Sequence, residues 1–466
     1  MAICLAILVL AVATVGVIAW RNYSTSLAQY NTPQGLPLTP VWTAQPPFAV
    51  VQMKLAPDGR SIYLLGTSSE GCCENQVWHD WLAEMTLGGK LKWNTEIKLP
   101  GDRTGTRNLH FGSDGNIYLE TTEYRTEQGD GYEYFSDHQR ISCYSPSGEL
   151  RWTVSARELD SQPASSGKVP AVAALAEGAW CYGINQRGQL AWKYQVEEIE
   201  VNANGAANNA VFAIPWPAPA ASYFLVYGLY GIPKQAVSVY GSQLWKAPAI
   251  PPGWPQFRQD GSVYFADTQQ NQDDYRNWSV ALSSLSPSGA LEWSIQRAGL
   301  DVTSPATSDG RVYTWLEDSL LCYARDGKRL WRYDPTTELP NITASYFGRV
   351  DITNAIDLGE QTLCVEHHMS ASPSTGWRLI DGVLHLAGVQ PSRTLRSGFY
   401  LLDGQGRQIA YFDGPTDSAD LSYEAQSAIV APGLLVLRSV DWDGGIGADR
   451  SGIVAFSLPL TPASQS

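Results

Sequence analysis

The sequence predicts an all-β protein built from a repeated four-stranded unit, and three observations lead there. The first is composition: 17 tryptophans, 23 tyrosines, 42 glycines and 28 prolines stand beside only four methionines in 466 residues. That balance favours aromatic-rich strands broken by tight turns over long helices. The second is that 44% of residues are hydrophobic and 17% charged. Such a chain holds enough apolar material for a sizeable core and too little charge for global disorder. The third is a repeat in which a polar turn ending in glycine is followed four residues later by tryptophan.

Six copies share that offset: Gly89 to Trp93, Gly148 to Trp152, Gly188 to Trp192, Gly241 to Trp245, Gly289 to Trp293 and Gly327 to Trp331. Most are preceded by a glycine turn that enters an aromatic strand, with Tyr63, Tyr118, Tyr264 and Tyr313 at matching places. That is a hairpin entry. One copy read end to end gives GSVYFAD, WSVALSSLS, a PSG turn and ALEWSI, three strands to which the apolar stretch before the first turn adds a fourth. Four antiparallel strands per unit make a propeller blade. From Trp93 to Trp331 the tryptophans are spaced 59, 40, 53, 48 and 38 residues apart, near the blade length of about 40–50 residues.

The two ends set the count. The 80 residues from Trp331 to Tyr411 read as a degenerate unit with a rim insertion around EHHMSASPSTG. The stretches SAIVAPGLLVLRSV and SGIVAFSLPL then supply three strands, one short of a unit. PVWTAQ, with Trp42, has no strands of its own before it and supplies the fourth. A ring closed this way leaves no free sheet edge between blades. The expectation is an eight-bladed β-propeller over residues 41–460, seven blades being the alternative, with Trp42, Trp93, Trp152, Trp192, Trp245, Trp293, Trp331 and Tyr411 marking outer strands.

Before the repeat, residues 2–20 form an apolar run without charge or proline, closed by Arg21. Nineteen such residues can span a bilayer as one helix. Residues 1–21 therefore read as a transmembrane anchor or a signal segment, 22–40 as a polar, Pro-rich linker, and 461–466 as a tail. Either N-terminal reading exports the propeller, to the periplasm or the cell surface. The net charge of −14 repels phosphate backbones, so nucleic acid is not an expected partner. Seven cysteines are too few for a disulfide scaffold and lack zinc spacing. Most of Cys72, Cys73, Cys143, Cys181, Cys322 and Cys364 read as buried free thiols on strands.

The Gly-x-x-x-Trp repeat resembles that of the pyrroloquinoline-quinone-like propellers, shared by quinoprotein dehydrogenases and by the propeller lipoprotein of the outer-membrane β-barrel assembly machinery. The resemblance covers about residues 41–460. It implies that the six glycine-spaced tryptophans, and Trp42 with them, dock each blade on its neighbour. The dehydrogenases of that superfamily set a vicinal disulfide against the quinone, and Cys72-Cys73 is a vicinal pair. It lies in a polar stretch between two strands of the first blade, where two plain thiols or an exposed ring disulfide serve as well. The calcium ligands and the aspartate base of those enzymes have no motif-by-motif match here.

Other candidates are weaker. Asp441, Asp443 and Asp449 alternate with glycines as a calcium loop would, but no glutamate closes the loop, and a solvated hairpin turn fits as well. Glu366-His367-His368 could be a metal fragment, yet adjacent histidines on a strand point to opposite faces. No G-x-S-x-G, P-loop or H-E-x-x-H occurs, so hydrolase and nucleotide chemistry lack support. The segments 123–138 and 266–278 are polar, acidic and aromatic, and suit a recognition surface. Basic residues such as Lys90, Lys92, Arg151, Lys193, Lys328 and Arg329 gather by the turns instead. The sequence thus points to a monomeric, membrane-anchored, extracytoplasmic scaffold that binds a protein or surface ligand without a cofactor or catalysis. A quinone- or calcium-dependent oxidoreductase and a carbohydrate-binding surface protein are the alternatives.

Overall fold

The computed structural model describes residues 35–458 apart from 71–76, 99–102, 130–131, 166–168, 178, 197–210, 215, 219–221, 229–233, 248–253, 259, 272–273, 299–305, 309–310, 317–318, 334–349, 358–362, 370–396, 414–420, 432 and 442–449. Among the described residues the strands form eight sheets. Sheet 1 runs Ala49–Leu55, Ser61–Glu70, Val77–Thr86, Leu91–Ile97, and sheet 2 runs Arg103–Phe111, Ile117–Gly129, Tyr132–Tyr144, Leu150–Ser155. Sheet 3 has three strands, Ala173–Glu177, Trp180–Ile184 and Leu190–Gln195. Sheet 4 is Val211–Ala213, Tyr223–Gly228, Gln235–Ser238, Gln243–Lys246, and sheet 5 is Trp254–Phe257, Val263–Asn271, Asp274–Leu285, Leu291–Ala298. Sheet 6 is Ala306–Ser308, Arg311–Leu316, Ser319–Tyr323, Arg329–Tyr333, and sheet 7 is Val350–Asp357, Leu363–Met369, Ser397–Leu402, Gln408–Asp413. Sheet 8 takes Leu421–Ala431, Leu434–Asp441 and Arg450–Ser457 from the C-terminal end and Pro40–Ala44 from the N-terminal end.

Packing turns these sheets into a ring. The second strands are apolar on both faces, and alternate residues face opposite neighbours. Ile62 and Leu64 of sheet 1 pack with Val436 and Ile453 of sheet 8, whereas Tyr63 and Leu65 pack with Leu109 and Leu119 of sheet 2. The same kind of buried cluster joins sheets 2 and 3, 3 and 4, 4 and 5, 5 and 6, 6 and 7, and 7 and 8. The fold is an all-β propeller. Its closing strand is the one expected from the sequence: Trp42 pairs with Ala455 and Thr43 with Val454, antiparallel.

The outer turns interlock. Gly89, Gly148, Gly188, Gly241, Gly289, Gly327 and Gly406 all have φ of 75–82°, a conformation that glycine adopts at little cost. Each lies beneath the indole of the preceding sheet: Trp42, Trp93, Trp152, Trp192, Trp245, Trp293 and Trp331, in that order. In five of the seven contacts the indole N–H donates to the carbonyl two residues before the glycine, as in Trp152 to Gln186 O at 2.9 Å and Trp293 to Arg325 O at 2.6 Å. Trp93 donates instead to Glu84 Oε2 at 2.8 Å, and the buried Trp42 Nε1 has no partner.

Four features depart from the sequence reading. Leu36–Pro37, inside the stretch read as linker, pair in parallel with Ala410 and Tyr411 as a fifth strand of sheet 7. They cover an edge whose outer strand carries Tyr411 in place of tryptophan. Among the described residues sheet 3 has three strands and no innermost one. Gln162 and Ser165 lie against its outermost strand instead, with Leu190 N–H donating to Gln162 Oε1 and Ser165 N–H donating to Leu190 O. The short helix Ala156–Asp160 was not anticipated, although its signal was present. Ser155 and Glu158 form a capping box, the Ser155 hydroxyl accepting from Glu158 N–H and the Glu158 carboxylate accepting from Ser155 N–H. Finally, Glu366, His367 and His368 are not a rim insertion. They lie in Leu363–Met369, paired on both sides within sheet 7.

Candidate binding face

Antiparallel order gives the ring two different faces. Turns between first and second strands and between third and fourth strands emerge on one face, called here the turn face. Hairpins between second and third strands emerge on the other. Three of those hairpins are long. In sheet 1, Ser61–Glu70 pairs with Val77–Thr86, in sheet 2 Ile117–Gly129 pairs with Tyr132–Tyr144, and in sheet 5 Val263–Asn271 pairs with Asp274–Leu285. By contrast sheet 6 uses Arg311–Leu316 and Ser319–Tyr323.

The arm of sheet 2 extends past both flanking strands. The innermost strand stops pairing at Arg103 opposite Tyr124, and the outermost stops at Ser155 opposite Arg140. Arg125–Gly129 and Tyr132–Ser136 therefore pair only with each other, an arm of five residues, or roughly 17 Å. Segments 123–138 and 266–278, read from sequence as loops, are mostly strand in these arms. In sequence these segments, together with 67–80, hold eleven carboxylates and two arginines.

Two polar pairs, each with one buried member, brace the strands of sheet 2 below the arm. Asn108 Nδ2 donates to Glu120 Oε2 at 2.7 Å. The buried Arg140 guanidinium donates to both carboxylate oxygens of Glu158 at 3.3 and 3.4 Å, so the helix cap and the arm share one anchor.

Nearer the axis, on the turn-face side, Gln52 and Lys54 of the innermost strand of sheet 1 cover the free edge of sheet 2. Leu109 N–H donates to Gln52 Oε1 at 2.9 Å, and Lys54 Nζ donates to Leu109 O at 2.9 Å. Their neighbour His110 stacks on Trp216, centroids 4.7 Å apart and planes 8° from parallel. Trp216 comes from the first turn of sheet 4 and reaches past sheet 3, which has no innermost strand among the described residues. Burial, with Lys54 nearby, pushes the His110 imidazole down to about 4. Burial also lowers the Lys54 ammonium below the usual lysine value. These residues were missed from sequence, although the polar alternation in Gln52-Met53-Lys54 and Asn108-Leu109-His110 is the signal that one face of each strand borders an open axis.

Cys143, Cys181 and Cys322 are buried, and burial raises the thiols of Cys143 to about 11 and Cys181 to about 12. Cys364 lies in Leu363–Met369. Cys72 and Cys73 lie outside the described residues. Asp441 ends its strand opposite Arg450, while Asp443 and Asp449 lie outside the described residues. Among the described residues no cluster of three His, Cys, Asp or Glu side chains has the geometry to hold a metal ion, and no helix is long and apolar enough to cross a membrane. The run 2–20 also lies outside them.

No protein-family model and no curated protein matches the chain. Among solved structures it is similar to the β-propeller domain of Cps50 (Swd1) from Myceliophteria thermophila, at 9% identity over 91% of this chain and 100% of that one, with a TM-score of 0.42. It is also similar to a protein of unknown function from Dyadobacter fermentans, at 10% identity over 91% and 99%, TM-score 0.40. A third is the WD40 domain of Pan2 from Neurospora crassa, at 10% identity over 76% and 90%, TM-score 0.37.

Proposed function

We propose that this protein is a non-catalytic binding scaffold, anchored by residues 2–20 and held outside the cytoplasm, which presents its hairpin face to a protein ligand. The observation that carries the reading is the projection of three long hairpins from one face, that of sheet 2 as a free arm, from segments whose sequence is rich in acids and aromatics. A rigid ring that offers long acidic and aromatic arms has the form of a recognition surface. The eight sheets are read as eight blades of the pyrroloquinoline-quinone-like type over residues 41–460, on the strength of the interlocked glycine–tryptophan contacts and the closing strand. The apolar run 2–20 supports the anchor and the export.

The test replaces Arg125–Ser136 with an Asn-Gly turn, which leaves the Tyr124–Asp137 pair to close a shorter hairpin. A photocrosslinker at position 124, which both chains retain, is expected in native membranes to give a discrete protein adduct, lost on shortening while the melting temperature holds. A crosslinker at position 405, on the turn face, is expected not to give that adduct. Absence of any adduct from all three arms would overturn the binding role. The oxidoreductase alternative is tested by adding pyrroloquinoline quinone and calcium: saturable cofactor absorbance that vanishes in the Cys72→Ser, Cys73→Ser variant would replace the scaffold reading.

A further inference from the structure

We infer that the turn face is a membrane-docking face, made to lie on an anionic bilayer with the acidic arms directed away from it; the inference rests on the anchor proposed above. Three observations converge on the perimeter of this face. The first is an apolar belt. The residues that follow the outer glycine turns are exposed large hydrophobics, Leu150 at 44%, Leu244 at 53%, Leu291 at 46% and Leu330 at 45%, and Val41 in the closing strand at 56%. Leu244 and Leu330 are the bulged residues just before the tryptophan, and Leu150 and Leu291 stand two residues before it. The equivalent Leu190 is buried only because the chain around Gln162 and Ser165 covers that edge of sheet 3.

The second observation is charge. The same outer turns carry exposed Lys90, Lys92, Arg187, Arg325, Lys328 and Arg329, among others, and their cations outnumber their acids eight to four. Lys92 and Arg325 also pair with Glu84 and with Asp260 and Glu292, whereas Lys90, Lys328 and Arg329 stand exposed beside the leucines. Interleaved leucine and lysine or arginine is the composition of a surface that inserts shallowly among anionic headgroups. The net charge of −14 does not oppose this. Ten-residue strands place the acidic arms roughly 33 Å from the turn face, several times the Debye length of about 8 Å at physiological salt.

The third observation is where residue 35 stands. Leu36–Pro37 runs parallel to Gln408–Asp413, a fourth strand that leaves the turn face, and Gly35 lies against Ile409 at its start. Position 35 therefore stands at the turn-face end of sheet 7. An anchor tethered there holds the leucine and lysine perimeter against the bilayer and raises its effective concentration at the surface.

The experiment uses the full chain in nanodiscs of mixed phosphatidylcholine and phosphatidylglycerol, of phosphatidylcholine alone, and in detergent. Lysines are acetylated with a water-soluble amine reagent and read by mass spectrometry. Lys90, Lys92 and Lys328 are expected to be protected several-fold in the anionic discs relative to detergent, and less in phosphatidylcholine alone. Lys98, 82% exposed at the opposite end of its strand, should react equally in all three. The Lys90→Glu, Lys328→Glu, Arg329→Glu variant, all at exposed positions, should lose the protection of Lys92 while its near-ultraviolet circular dichroism stays unchanged.

Alkaline carbonate extraction of native membranes separates the two readings. A chain retained in the membrane with unprotected turn lysines in every disc overturns the docking face and keeps the anchor. A chain released by carbonate, yet protected on anionic discs, removes the anchor and keeps the docking face. Release without protection overturns both.

Discussion

Gly148 of sheet 2 and Trp93 of sheet 1 share one space: a Cβ on Gly148 would stand 2.5 Å from Cζ3 of the Trp93 indole. The positive φ of 82° already favours glycine, and the ring excludes any side chain a second time. Gly115 has a φ of 78° and nothing within 4 Å of the same point. The pair separates the two costs. Gly115→Ala is expected to lose about 1–2 kcal/mol from backbone strain alone. Gly148→Ala should lose a further ~1–3 kcal/mol from overpacking, read from urea midpoints. Equal losses would remove the interlock.

The indole hydrogen bonds give a finer test. Trp293 Nε1 donates to Arg325 O, whereas Trp42 Nε1 is buried without a partner. Trp293→Phe should cost about 1 kcal/mol more than Trp42→Phe, the net worth of one such bond together with the carbonyl it would orphan. Trp293→Ala, which also empties the contact, should cost roughly 3–5 kcal/mol. If Trp42→Phe proves the more damaging, the closing strand is held by something other than ring packing.

His110 makes stability depend on pH. Its folded imidazole titrates at about 4, below the usual value of about 6.5, so the unfolded chain takes up a proton that the folded chain refuses. Stability is full above about pH 6.5, falls as pH drops toward 4, and levels off below that; up to about 3 kcal/mol is at stake. Denaturation midpoints measured from pH 7.5 to 4 should drop less steeply in His110→Gln. Identical slopes in the two proteins would show that Trp216 does not hold the ring neutral.

Thiol reactivity is expected to follow folding. With thiols raised to about 11 and 12, Cys143 and Cys181 carry almost no thiolate at neutral pH. Native protein should leave them unmodified by a maleimide for hours, and both should react within minutes in denaturant. Rapid native labelling of Cys181 would mean that sheets 3 and 4 open readily.

What is local and periodic was legible in the chain. Gly-x-x-x-Trp repeats fix an outer turn and the strand after it, because φ near +80° and a four-residue offset are properties of a few consecutive residues. A tryptophan with no strands before it, Trp42, named the closing strand for the same reason: the shortfall of one strand at the C-terminal end could be counted. The Ser155–Glu158 cap was equally local and simply went unread. What depends on neighbours distant in the chain came only with the fold. Among the described residues sheet 3 has no innermost strand, and Trp216 of sheet 4 stacks on His110, a contact that no window of sequence around either residue contains. Leu190 is buried and Leu291 exposed at the same place in the repeat, because one strand edge is covered by a returning chain and the other is not. The acidic segments were visible as composition, but that they rise together from one face, opposite the leucines and lysines of the outer turns, follows from antiparallel pairing repeated around a closed ring.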